Sequence, residues 1–347
     1  MDRDAPRTAC PTREIQAGSD VLLSRRRSFG IGAGLAMLAA LPSAARAQPA
    51  STAAGEWGQT PGVIRWKIGD IEVTAVSDGF STLPLDVVPK ADPVEAKELA
   101  KAAFLPPGDA LPISVNTYVV RSAGHLAVID TGAGRLLGPH AGIFLESLKA
   151  ADVSPEAVDT VIITHLHPDH VSGMTTADGR ANFPNARLVV HENELTYWDD
   201  DANAGKVPAV QKSWFKVARD AIAPYRKRID PITRNGQVIL PGVAAEELFG
   251  HTPGHTGLRI TAGSDQLLIW ADIVHLPHLQ FPEPAWGMSF DVDADRFVAT
   301  RRRAFDMAAS DRLLVAGMHL NFPGFGHVAA AGPTGYAFVP ASWRFIP

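Results

Sequence analysis

The stretch THLHPDHVSG, residues 164 to 173, places three of the chain's 12 histidines and an aspartate within six consecutive positions. In a loop leaving a strand, alternate residues face the same way, so His165 and His167 can share one metal ion. Asp169 and His170 follow at the turn and can face a second ion. Imidazole and carboxylate together suit zinc, and also iron, manganese or cobalt. The competing reading is three unrelated core or surface histidines, a pattern that chance gives well under roughly once in a hundred chains. One loop cannot close two sites. Further donors stand downstream: His251 and His255 in GHTPGHTG, Asp272 in WADIV, and His319 in AGMHLNFPG, each beside a predicted strand end.

These residues need a scaffold, and the chain alternates strand and helix patterns from about residue 63. RWKIGDIEVTAVSDG reads as a hairpin turning at Gly69-Asp70. SVNTYVVRSAGHLAVIDTG reads as a second, turning at Ser122-Ala123-Gly124. IFLESLKAA is a short amphipathic helix. VDTVIITH is a β-branched run of the buried-strand type that delivers the histidine motif at its end. ARLVVH is another strand, and Glu194 to about Arg228 is helical and aromatic. EELFGHTPGHTGLRITAG and DQLLIWADIVH then read as strands, Asp293 to Ala309 as a helix, and RLLVAGMHL as a strand. Two strand-rich halves with helices predict sheets sandwiched between helices rather than one doubly wound sheet. The Pro-rich segments Leu83 to Leu111 and Leu276 to Met288 read as loops near a site. Arg301-Arg302-Arg303 reads as a solvated helix face.

The N-terminal segment has a different character. Residues 1–47 read as a cleaved export signal: Arg26-Arg27 before Ser28-Phe29, an apolar Gly/Ala-rich run to Leu41, and a small-residue cleavage site at Ala45-Arg46-Ala47. Paired arginines before a weakly apolar run are the twin-arginine pattern, which implies a periplasmic or secreted protein with no stable membrane span after cleavage. Residues 48–62 read as a flexible N-terminal segment and 63–347 as a single domain. The one cysteine, Cys10, lies in the leader, so the remainder has neither disulfides nor thiolate ligands. The leader carries seven basic and four acidic residues. The whole chain is at −5, so the remainder is at −8, which argues against a nucleic-acid partner.

The set His165-x-His167-x-Asp169-His170, with His251, Asp272 and His319 in that order, resembles the metallo-β-lactamase-fold hydrolases. Within them it most resembles the methyl parathion hydrolase group, through SVNTYVV, VIDTGAG, VIITHLHPDHVSG, FGHTPGHTG, HLNFPGFGH and GYAFVP. The resemblance implies an αββα sandwich and two zinc ions, one held by His165, His167 and His251. Asp169, His170 and His319 would hold the other, and Asp272 would bridge. It makes His255 a supporting residue, and Asp130 in VIDTG one that orients a ligand or the loop. Two ions ~3.5–4 Å apart share a water and lower its pKa toward ~7, so that a metal-bridging hydroxide attacks a carbonyl or phosphoryl centre.

The implied reaction is hydrolysis of a small-molecule aryl ester or lactone, with phosphotriesters as the alternative. Diiron redox relatives carry a carboxylate where His167 stands. True β-lactamases carry Cys or Ser where Asp272 stands. A non-catalytic metal-binding protein would keep the ligands without turnover. Members are often homodimers.

Asp169 and His275 are the candidate catalytic groups. His275 follows Asp272 by three, where lactonases of this superfamily have a tyrosine and the parathion group an apolar residue. It is expected to reach the pocket and donate to a substrate oxygen. Trp198 and Trp214 match pocket aromatics of the parathion group. His125, His140 and His191 read as surface or strand-end residues and His327 as structural, while His278 has no assigned role.

Overall fold

A computed structural model describes residues 59–343 of the chain. The export signal and most of the 48–62 segment lie outside these residues. Among the described residues, fourteen strands form two sheets of seven. The first contains β1 (Val63–Ile68), β2 (Ile71–Pro84), β3 (Ala110–Ser122), β4 (His125–Ile129), β5 (Thr160–Ile162), β6 (Arg187–His191) and β7 (Ile229–Ile232), in chain order. The second contains β8 (Val238–Leu240), β9 (Val243–Glu247), β10 (Thr256–Ala262), β11 (Asp265–Ile269), β12 (Leu314–Ala316), β13 (Phe325–Ala331) and β14 (Gly335–Pro340), again in chain order. The helices are α1 (Pro93–Ala102), α2 (Phe144–Ala150), α3 (Pro168–Val171), α4 (Glu192–Asp199), α5 (Asp201–Ala204), α6 (Ala209–Ile222), α7 (Pro277–Gln280) and α8 (Ala294–Ser310).

Side-chain alternation assigns the layers. Ile162, Tyr118 and Val120 point inward and meet Leu267 and Ile269 of the second sheet in a central core. Their strand neighbours Val119, Val161 and Ile163 point outward to a core shared with α2, α4 and α6. Leu268 and Val315 point outward from the second sheet to Phe297 and Phe305 of α8. A strand buried on both faces must be apolar at every position, which is why VDTVIITH reads as a continuous run. The result is the expected αββα sandwich. Both predicted hairpins form, with Ile68 opposite Ile71 and Ser122 opposite His125.

Four expectations differ, the first being the segment 276–288, which contains the short helix α7 with Pro277 at its first position. The segment 83–111 contains α1, because Asp92 caps PVEAKELAKA by accepting from Val94 N and Glu95 N at 2.9 Å, with Pro93 at the first helical position. The aromatic segment from Glu194 is not one helix. Asp200 ends α4 and caps α5, and Gly205 to Pro208 separate α5 from α6. Arg301 is fully buried rather than solvated. On α8 it shares the inner face with Phe297, Ala304, Phe305 and Ala308, a helical spacing visible in the sequence. Among the described residues, no helix is long and apolar enough to cross a membrane.

Candidate metal centre

Parallel pairing of β4 with β5, and of β11 with β12, sends four chain segments out at the same edge of the sandwich. Asp130 follows β4, the motif from His165 follows β5, Asp272 follows β11, and His319 follows β12. Two of the exits are conformationally costly. Asp130 has φ +58 and Ala271 has φ +52, left-handed values that disfavour residues with a Cβ. Both residues stand where a strand turns abruptly to present the cluster.

Leu166 points into the outer core, so His165 and His167 on either side of it share the opposite face. Nδ1 of His167 lies 3.1 Å from Nε2 of His165 and 2.9 Å from Nε2 of His251. Asp169, His170 and His319 form a second group, with His319 Nε2 3.3 Å and His170 Nε2 3.6 Å from Asp169 Oδ2. Oδ2 of Asp272 stands between the groups, 3.6 Å from His165 Nε2, 3.5 Å from His251, 3.2 Å from both His170 and His319, and 3.1 Å from His275.

This donor set fits divalent cations. All these side chains except Asp169, which is partly exposed, are essentially buried. Five imidazoles crowd two carboxylates, and His170 Nε2 and Asp272 Oδ1 are buried without a hydrogen-bond partner. Buried polar atoms left so need a partner that ions would provide. The outward nitrogens are already committed. His170 Nδ1 is 2.7 Å from Asp130, His251 Nδ1 2.7 Å from Asp291, His319 Nδ1 2.9 Å from Ser114 O, and His165 Nδ1 3.1 Å from Thr164 Oγ1. Such partners fix which nitrogen faces the metal.

Electrostatics describe what the cations must displace. Burial pulls His319 down, but Asp272 and Asp169 outweigh it and hold the ring protonated up to about 10. His170 is likewise held well above its usual range, against burial, by Asp272, Asp169 and Asp130. Burial and the neighbouring rings leave His165 and His251 neutral, and burial lowers His167 to about 3 despite the carboxylates. The first group is therefore ready to ligate, whereas the second must release protons, which makes its occupancy fall as pH falls.

The supporting residues are distributed as follows. His255 Nδ1–H donates to Leu248 O (2.8 Å), and its Nε2 accepts from Asp272 N (3.1 Å), so it supports the bridging position without facing the cluster. Asp130 also accepts from Thr164 N and Oγ1 at 2.8 Å. His275 is buried, its ring stacked on His319, with Nδ1 lacking a partner. It lines a cavity of about 510 Å³ with His167, Asp169, Asp272, His319 and Trp214. Trp198 departs from expectation: it is buried behind His167, and its indole N–H donates to Glu194 at 2.9 Å, so it backs the wall and does not form it. Phe290 takes that place in the lining. His191 is a buried strand end that accepts from Asn193 N. His125, His140 and His327 are exposed and His278 is half-buried.

Asp291, Glu194 and Arg301 escaped sequence reasoning. Asp291 sits in a loop without periodicity and offered no signal. Burial raises its carboxyl to about 7 although Arg301 and Met288 N oppose this. Arg301 did offer one, its position on the apolar face of α8.

Residues 110–319 match the model of the metallo-beta-lactamase superfamily. The crystal structure of the hydrolase AbOPH, in the beta lactamase superfamily, aligns at 31% identity and TM-score 0.78, covering 83% of this chain and 100% of that one. The structure of AidC, a dizinc quorum-quenching lactonase in complex with a product, shares the fold at TM-score 0.77 and 24% identity, covering 82% and 99%. A hydroxyacylglutathione hydrolase of Aeromonas salmonicida (strain A449) is 29% identical over 110 residues, which are 30% of this chain. The chain spans only 36% of that curated relative's length.

Proposed function

The chain belongs to the metallo-beta-lactamase superfamily, and from that premise we propose that it is a metal-dependent hydrolase of ester-type bonds, an exported dizinc enzyme acting on neutral aryl esters or lactones. The observation that carries the reading is Asp272 Oδ2, within 3.6 Å of five imidazole nitrogens, two from each group and that of His275. His165, His167 and His251 would hold one ion, Asp169, His170 and His319 the other, with Asp272 shared. Divalent cations held there supply Lewis acidity and a water acidified toward neutral pH.

The chain's own residues supply the rest. Leu83, Ile113, Trp214 and Phe290 give the cavity an apolar wall suited to an acyl or aryl group. No Lys or Arg is among the described residues that line it, which favours a neutral substrate over one carrying carboxylates, such as a glutathione thiolester. Asp169 opens onto this cavity. His275 lines the same cavity, with Nε2 3.1 Å from Asp272 Oδ2 and Nδ1 without a partner, and its ring would donate to the substrate's leaving or carbonyl oxygen. Replacement by leucine is expected to lower kcat about 10²-fold with two zinc ions retained. Unchanged kcat on every good substrate would remove His275 from the mechanism.

The finer likeness to the methyl parathion hydrolase group rests on HLNFPGFGH and GYAFVP, and it makes phosphotriesters the alternative substrates. Metal analysis and a panel of chromogenic esters, lactones, phosphotriesters and cephalosporins test the proposal. Two zinc ions per chain and turnover of esters or lactones are expected. Turnover of cephalosporins alone, or full activity with less than one metal per chain, would refute it. Sequencing of exported protein is expected to find an N-terminus near Gln48, and an intact Met1 would refute cleavage.

A further inference from the structure

Glu194 lies outside both groups of candidate ligands, yet it grips the two loops that form the first. It sits in the first turn of α4 and is fully buried. Its Oε2 accepts from Leu166 N at 2.9 Å and from Trp198 Nε1 at 2.9 Å, and its Oε1 accepts from Gly254 N at 2.7 Å. Leu166 separates His165 from His167. Gly254 separates His251 from His255. The two loops leave different sheets, and the backbone joins them through Thr256 N and Thr164 O at 3.0 Å. Glu194 adds a bond on each side, at Leu166 between His165 and His167 and at Gly254 three residues after His251, and His167 and His251 approach to 2.9 Å. The fit is close: a Cβ on Gly254 would lie 2.9 Å from both Cγ and N of Glu194.

The chemistry calls for a carboxylate. Three N–H donors converge on an acceptor-only group, and glutamine would turn two hydrogens of its own toward them. Asp130 performs a different task. It holds Thr164 and contacts the ring of His170 directly, in the second group.

We infer that Glu194 is a positioning residue for the His165–His167–His251 group, setting the affinity of that group for its metal. This rests on the dinuclear reading above. Zinc retained per chain is measured on the zinc-loaded full-length protein across chelator-buffered free zinc, with circular dichroism as the check on folding. Glu194→Gln is expected to weaken one equivalent ~10–100-fold and leave the other within about twofold. Asp130→Asn, which touches His170 directly and reaches His165 through Thr164 Oγ1, should weaken both equivalents. Trp198→Phe, which keeps the carboxylate and removes one donor, should shift the same equivalent as Glu194→Gln by less.

A folded Glu194→Gln that weakens both equivalents alike, or neither, overturns the inference. If that variant does not fold, Trp198→Phe decides it: a shift confined to one equivalent supports the role, and no shift overturns it. A wild-type protein that never holds two equivalents refutes the dinuclear reading instead.

Discussion

Asp272→Ala is expected to lower kcat/KM by roughly 10³-fold or more, beyond the ~10–100-fold in metal affinity or activity that an outer partner of a ligand costs. Zinc should fall from two to one or fewer per chain. The expectation follows from position. Burial alone would raise the Asp272 carboxyl, but His170, His319 and His165 hold it well below the usual carboxylate range, so it stays charged among them. Without it, five imidazole nitrogens lose the one oxygen they share, and two cations would face each other with no anion between them. Asp272→Asn keeps the shape and removes the charge. It should fail nearly as badly, which separates charge from packing. Two zinc ions and more than a tenth of wild-type kcat/KM in Asp272→Asn would show that Asp272 is not the shared ligand.

Arg301→Ala should destabilise the zinc-loaded protein by roughly 3–5 kcal/mol in denaturant unfolding, the range for breaking a buried charged network. Its Nε donates to Ile273 O at 2.6 Å, and its Nη1 to Pro284 O and Trp286 O at 3.2 and 3.1 Å. Its guanidinium lies 4.9 Å from the centroid of Phe297. Truncation would leave three buried carbonyls without that donor, on the loop that carries His275. Gln280 stiffens the same loop by accepting from His275 N and Leu276 N, so a loss of kcat should accompany the loss of stability. Lysine cannot restore the fork, because a compact ammonium does not span three acceptors in one plane. Arg302→Ala and Arg303→Ala should stay within about 0.5 kcal/mol, as surface changes do. Equal effects of all three substitutions would contradict the burial of Arg301.

Much of this was legible from residue order. The Gly69-Asp70 and Ala123-Gly124 turns, the β-branched run into His165, and the Asp293-capped helix α8 are local features, set by alternation, capping and turn chemistry over a few positions. The α1 helix was missed because its prolines suggested a loop, although Pro93 at a first helical position is favourable. Arg301 was misread because three adjacent arginines look alike as a run, while a helix puts each on a different face.

By itself the sequence determined which side chains could bind metal and that sheets lie between helices, since both follow from residue type and periodicity along short segments. Tertiary structure alone decided the partners. Asp291 reaches His251 across 40 positions, and Glu194 reaches Leu166 across 28 and Gly254 across 60. Periodicity tells which face of an element is buried but not what meets it there. The angle and offset at which two sheets pack choose those neighbours, and no short stretch of chain encodes that choice.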